Sequence, residues 1–182
     1  ILKILKEGFG EWKVPLSLSY LPLWLLASIP VVSALLGTLA PEIANDSLCY
    51  HLHLPKLFLR LHWIGKVPYE VNALFPSLME MLYTLGLGIG GVTLAKFFHF
   101  STGLLCAGGI LMFLRRYVSA RIAWLAALLF LATPGIVNQL DTTYIDAGFT
   151  CFSFLALIPV LRWMETRSTG WATPTSTCGP RP

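Results

Sequence analysis

The first long apolar stretch, residues 16–39, decides the fold and reads LSLSYLPLWLLASIPVVSALLGTL. It contains no charged side chain, and as a helix it is long enough to cross the roughly 30 Å of hydrocarbon in a bilayer. Pro22 and Pro30 are compatible with this prediction, because membrane helices tolerate kinks. No convincing small-residue cleavage site follows, so we expect the stretch to stay in the protein as a signal anchor.

The composition of the whole chain is also that of a membrane protein. Of the 182 residues, 55% are hydrophobic and only 12% are charged, with a mean hydropathy of +0.69. Soluble domains have roughly 25% charged residues, so a soluble enzyme, a disordered chain and a disulfide scaffold are excluded. The net charge of +4 does not indicate nucleic-acid binding, because the basic residues stand in short clusters between apolar runs. The four cysteines lack CxxC spacing and fix neither a metal site nor a redox compartment.

Four more apolar stretches follow the first. Residues 93–114, 120–137 and 143–161 are each predicted to span the membrane. Residues 74–91 are shorter and end in several glycines. The sequence therefore predicts an all-α fold, a polytopic transmembrane helix bundle over residues 1–166.

Lysine and arginine predict the orientation of this bundle, because they concentrate in cytoplasmic loops. Three basic clusters are expected on the cytoplasmic side: Lys3, Lys6 and Lys13; Arg115, Arg116 and Arg121; and Arg162 and Arg167. They share one side only if residues 74–91 re-enter the membrane or lie at its interface, and we prefer this to five full crossings. Residues 167–182, rich in Thr, Pro, Gly and Ser, are expected to form a disordered tail.

The external loop between the first two stretches has its own pattern. In residues 47–62, leucines are interleaved with histidines and basic residues, and Pro55 interrupts the run. This favours a pair of membrane-parallel helices with polar groups toward water. A plain surface helix is the alternative.

Two aspartates are the main functional candidates, because an ionisable residue near membrane depth is costly. Asp146 is predicted to lie about one turn inside a helix that Asp141 caps, so capping does not explain it, although a solvated helix end would. Asp46 follows the first helix and is either a helix cap or a functional carboxylate. His51 and His53 beside it give only weak support for a metal site, because residues two apart on a helix point to different sides.

A second pair of ionisable residues lies further along the chain. Glu80 is inside the short stretch 74–91, and Lys96 begins the next one. Lys96 is a candidate ion-pair partner of Glu80 or a candidate phosphate ligand. A structural pair or a snorkelling lysine is the alternative.

Three segments carry a family resemblance: DSLCYHLHLPK at residues 46–56, FPSLMEMLY at 75–83 and TYIDAG at 143–148. In this order and spacing they resemble the N-terminal part of bacterial GT-C superfamily membrane glycosyltransferases. These are the relatives of protein mannosyltransferases (glycosyltransferase family 39) and lipid A aminoarabinose transferases. The resemblance covers most of residues 10–165.

The resemblance implies an integral protein of the bacterial inner membrane with a cytoplasmic N-terminus. Its reaction would transfer a sugar from a polyprenyl-phosphate donor to an acceptor hydroxyl, with inversion. Asp46 would be the general base and Asp146 a second catalytic carboxylate, and the two would be the ligands if a divalent metal binds. Lys56 and Lys96 would bind the donor phosphate. Three residues are secondary candidates: His51, Glu80 and Asp141.

Two other functions remain open. The chain is alternatively a non-enzymatic membrane subunit or transporter fragment, in which Asp146 and Glu80 serve an ion path or pair structurally. Full-length GT-C members have many more spanning helices and usually a soluble C-terminal domain, so a truncated, inactive fragment is the third interpretation. The sugar, the acceptor and the oligomeric state are not predicted by the sequence.

Overall fold

The computed structural model describes residues 21–65, 67, 70–74 and 77–170, except the side chains of residues 74 and 165–170. These residues form helices and turns and no strand, which confirms the predicted all-α bundle. The α-helices are α1 (Leu21–Leu39), α2 (His53–Leu61), α3 (Leu78–Leu114), α4 (Ala120–Ala132), α5 (Pro134–Val137) and α6 (Asp146–Gly170). A π-helical turn (Ser47–His51) precedes α2, and a 3-10 turn (Val71–Leu74) precedes α3.

Three of these helices are long and apolar enough to cross a membrane: α1, α3 and the part of α6 from Asp146 to Met164. Only 11% of the apolar window of α1 and 17% of that of α6 are buried within the chain. Their apolar side chains therefore face outward, as expected for helices that contact lipid or further helices. The remaining predicted span, residues 120–137, corresponds to α4, a shorter apolar helix.

Helix α3 is two helices joined at Gly91. This glycine has φ 72° and ψ −162°, a conformation that is essentially restricted to glycine. The chain reverses at Gly91. The evidence is that Gly86 and Ala95 lie side by side, since a Cβ placed on Gly86 would be only 2.9 Å from the backbone N and Cα of Ala95. In a straight helix, residues nine apart are separated by about 13.5 Å. We call residues 78–90 the first arm and residues 92–114 the second arm.

The first arm is too short to cross a bilayer, since its 13 residues span only about 20 Å of helix. The turn at Gly91 coincides with the boundary predicted between the stretches 74–91 and 93–114. Whether the first arm re-enters the membrane stays a prediction.

The second arm packs beside α6, and the two run in the same direction. The thiols of Cys106 and Cys151 lie close to each other. Three residues further along each helix, a Cβ on Gly109 would lie 3.3 Å from the ring of Phe154. This register places Asp146 level with residue 101, about 7.5 Å along the second arm from Lys96.

Several helix ends differ from the prediction. The stretch 120–137 is broken at Thr133, which is extended before Pro134, because the residue before a proline avoids the helical region. Helix α6 begins at Asp146 rather than near Thr143, so Asp141 does not cap it and Asp146 is not one turn inside. Helix α6 also continues to Gly170, into the predicted tail. The predictions for residues 1–20 and 171–182 lie outside the described residues.

Candidate functional site

The three segments that carry the resemblance bond directly to one another. His51 of the first segment bonds through Nδ1 to Oε1 of Glu80 in the second, at 2.7 Å. The hydroxyl of Tyr83 in the second segment donates to the carbonyl oxygen of Tyr144 in the third. The backbone N–H of Thr143 in the third donates to Ser47 Oγ in the first, at 3.2 Å. The site is therefore a junction of the loop after α1, the first arm and the turn before α6.

The core of this junction is the His51–Glu80 pair. Its side chains are only 3% and 9% exposed, respectively. The ring of His51 also lies 4.1 Å from that of Tyr50 and 6.2 Å from that of Tyr144. Glu80 is thus a member of the site, but its partner is His51 and not Lys96.

Lys96 has a different partner because its side chain reaches the end of α1. Its ammonium donates to the carbonyl oxygens of Gly37, at 2.7 Å, and Ala40, at 2.8 Å. The last carbonyls of a helix lack hydrogen-bond donors within the helix and lie at the negative end of its dipole. A buried ammonium there supplies both hydrogen bonds and an opposite charge. Its binding of a donor phosphate stays a prediction, with two of the three ammonium hydrogens already in use.

Asp46 and Asp146 both lie close enough to the phenol of Tyr50 to affect its pKa. Burial raises the pKa of Tyr50, and the nearby groups of Asp46, Tyr144, Asp146 and Glu80 raise it further, because negative charge disfavours the phenolate. Both aspartates are exposed, and Asp46 makes no side-chain capping bond to the turn that follows it. Asp46 thus occupies the N-cap position of that turn without making a cap bond, whereas Asp146 is the first residue of α6 and suits the positive end of that helix.

The turn before α6 is held by residues for which no catalytic or binding role was predicted. The N–H of Thr143 is shared between Ser47 Oγ and Glu42 Oε2, each at 3.2 Å. The other oxygen of Glu42 accepts from the N–H groups of Ile43 and Ala44. Ser47, Tyr83 and Thr143 lie inside the three quoted segments, and that membership was the only signal of their importance.

The remaining candidates lie at the edges of the junction. Asp141 packs on the end of α1, where a Cβ on Gly37 would lie 2.1 Å from its Oδ2, so only glycine fits there. Lys56 is exposed on α2, opposite the buried Leu54 and Phe58. Its ammonium makes no hydrogen bond or ion pair with any described residue, so a donor-binding role for it stays a prediction.

Several buried polar atoms near the junction have no hydrogen-bond partner among the described residues. They are Glu80 Oε2, both ring nitrogens of His99, Gln139 Oε1 and Thr143 Oγ1. His99 is fully buried in the second arm. No role was predicted for His99 or Gln139, because a histidine in an apolar run gives no sign of its surroundings.

The described residues contain no group of three or more His, Cys, Asp or Glu side chains that could hold a metal ion. Asp46 and Asp146 offer the oxygen ligands that Mg²⁺ or Ca²⁺ prefers, but two carboxylates supply fewer than a complete coordination shell. A divalent metal at these aspartates stays a prediction.

Comparison of the chain with family models, with curated proteins and with solved structures finds no match. The function therefore has to be inferred from the residues of the chain itself.

Proposed function

We propose that this chain is a membrane glycosyltransferase, or a part of one, that uses a polyprenyl-phosphate-linked sugar. One observation carries the proposal. The three segments that resemble GT-C transferases are far apart in the sequence, yet they are joined by the bonds His51–Glu80, Tyr83–Tyr144 and Thr143–Ser47. A chance resemblance in loose motifs gives no reason for the motifs to meet.

The proposed chemistry needs a base and a cation. As the acceptor oxygen bonds to the anomeric carbon, the bond from that carbon to the phosphate oxygen breaks, and Asp46 takes the acceptor proton. Asp46 is suited to this role because it is exposed and not engaged in capping. The leaving polyprenyl phosphate needs a positive partner, and Lys56 has its ammonium free among the described residues. A divalent metal, if bound at Asp46 and Asp146, would supply further charge stabilisation.

A position at the external membrane face fits a lipid-linked donor. The junction lies where α1 ends and α6 begins, so an isoprenoid chain in the bilayer can bring its phosphate to the aspartates. We place the protein in the bacterial inner membrane with a cytoplasmic N-terminus, on the strength of the basic clusters and the resemblance.

The test uses inner-membrane vesicles that contain the whole chain, with polyprenyl-phosphate mannose and polyprenyl-phosphate aminoarabinose as donors labelled in the sugar. Transfer to endogenous acceptors is compared for the wild type, Asp46→Asn and Asp146→Asn. Glu70→Gln is the matched control, since Glu70 is a carboxylate of the same loop that, among the described residues, bonds to the nearby Asn72. Membrane insertion of each variant is measured in parallel.

Loss of the general base should lower the transfer rate by about 10²–10⁴-fold in Asp46→Asn, with normal insertion. Glu70→Gln should transfer at the wild-type rate. Full transfer by Asp46→Asn would reject the base, and a wild type that transfers neither sugar would count against the proposal as a whole.

A second candidate function is an ion path in a non-enzymatic membrane subunit. The buried Glu80 and His99, with unpartnered polar atoms inside an apolar bundle, favour it. Proton flux into liposomes that contain the chain would support this function if Glu80→Gln abolishes the flux. The absence of flux in the wild type would exclude it.

A further inference from the structure

Four side chains beside the junction carry buried polar atoms that have no hydrogen-bond partner among the described residues. Glu80 contributes Oε2, His99 both ring nitrogens, Gln139 its Oε1 and Thr143 its hydroxyl. His99 and Thr143 are 0% exposed and Glu80 is 6% exposed, so bulk water does not reach them. They are carried by both arms of α3 and by the turn before α6.

The bonds around these residues show that they share one neighbourhood. Glu80 is bonded to His51 in the π-helical turn, and the same turn begins at Ser47, which accepts from the N–H of Thr143. The ring of His99 lies beside the backbone carbonyls of Gln139 and Thr142 without the geometry of a hydrogen bond to either.

Buried polar groups of this kind are rarely left unpaired, because burying a polar group without a partner costs more free energy than a typical hydrogen bond returns. The unpartnered atoms are also complementary to water. A carboxylate oxygen accepts, a hydroxyl both donates and accepts, and a neutral imidazole donates from one nitrogen and accepts at the other. A buried water that makes two to four such bonds is a regular part of protein interiors.

We propose that Glu80, His99 and Thr143 form an internal water-binding site, with Gln139 at its edge. Water bound there extends the His51–Glu80 pair into a hydrogen-bonded network that ends at His99. The site rests on the buried atoms alone and does not depend on the transferase activity.

The first test is Thr143→Val, which keeps the shape of the side chain and removes the hydroxyl. If the hydroxyl binds water, its removal breaks the network and lowers the melting temperature of the purified chain in detergent micelles. If the hydroxyl is unpartnered, its removal raises the melting temperature. Thr38→Val is the matched control, because Thr38 is equally buried and its hydroxyl donates only to Ala34 within α1, at 2.7 Å.

We expect Thr143→Val to lower the melting temperature by more than Thr38→Val does. A melting temperature of Thr143→Val above that of the wild type would overturn the proposal.

The second test measures hydration at His99 directly. The C2 proton of each histidine ring exchanges slowly in D₂O, and mass spectrometry of peptides reports its rate. His53 and His62 are exposed and provide the fully hydrated reference within the same chain. We expect His99 to exchange in the wild type, more slowly than the reference, and to lose this exchange in Thr143→Val. Retention of the His99 proton in the wild type while His53 and His62 exchange would overturn the proposal.

Discussion

A methyl group added at Gly86 tests the hairpin of α3. In Gly86→Ala, the new Cβ would lie 2.9 Å from the backbone N and Cα of Ala95 and 3.2 Å from the ring of Phe98. The ring is the end of a side chain and can turn, but the backbone of Ala95 cannot. The two arms must therefore move apart where the interior is closely packed.

The size of the effect follows from a comparison with a second glycine of the same helix. A Cβ on Gly108 would meet nothing within 4 Å. Both Gly86→Ala and Gly108→Ala gain the helix propensity of alanine, up to about 1 kcal/mol, and this gain cancels between them. The remaining difference is the cost of overpacking, about 1–3 kcal/mol. Gly86→Ala should be the less stable variant by this amount.

The assay is equilibrium unfolding of both variants and the wild type in mixed micelles with increasing dodecyl sulfate, followed by far-ultraviolet circular dichroism. The measured quantity is the difference in the free energy of unfolding. If Gly86→Ala is as stable as Gly108→Ala, the contact between Gly86 and Ala95 does not exist. Helix α3 would then be one straight helix, and residues 74–91 would belong to a full crossing.

Three other variants test the junction. Glu80→Leu leaves the buried ring of His51 without its hydrogen-bond partner and should lower the free energy of unfolding by about 1–3 kcal/mol. A double-mutant cycle with His51→Leu checks that the loss comes from the pair, and no coupling would refute it. Tyr83→Phe removes one buried hydrogen bond and should lower the free energy of unfolding, measured by thermal unfolding, by about 1 kcal/mol. An unchanged stability would contradict this prediction. Asp46→Asn removes negative charge near Tyr50, so the pKa of Tyr50, now above 10, should fall toward that value. Fluorotyrosine NMR at position 50 measures this shift, and an upward shift would contradict the assignment.

Hydropathy alone was sufficient to predict the helical bundle, because a long run of apolar residues indicates a membrane helix whatever the arrangement of the other helices. The same property limits the prediction of helix ends. Helix α6 begins at Asp146 because the turn before it is held from outside, through Ser47, Glu42 and Tyr83. These partners lie about 60 to 100 residues upstream in the sequence, and no local pattern records them.

The hydrogen-bond partners of the charged residues were even harder to predict from the sequence. Lys96 and Glu80 are 16 residues apart on either side of the turn at Gly91, so their opposite charges suggested a pair. The turn instead presents Glu80 to His51 and leaves Lys96 beside the end of α1. Whether Lys96 bonds to the carboxylate of Glu80 or to the carbonyls at the end of α1 depends on the reversal of the chain. That reversal depends on the conformation of Gly91.

The hairpin at Gly91 also affects how the chain is made. As synthesis proceeds, the first arm leaves the ribosome before the second, and 13 helical residues are too few to anchor themselves across lipid. Before the second arm emerges, the first arm can bond to the loop after α1 through His51, but it lacks its packing against the second arm. In a membrane, the two arms would therefore be inserted as one unit. A nascent chain halted before Gly91 would hold Glu80 with its partner His51 but without the second arm packed on the first.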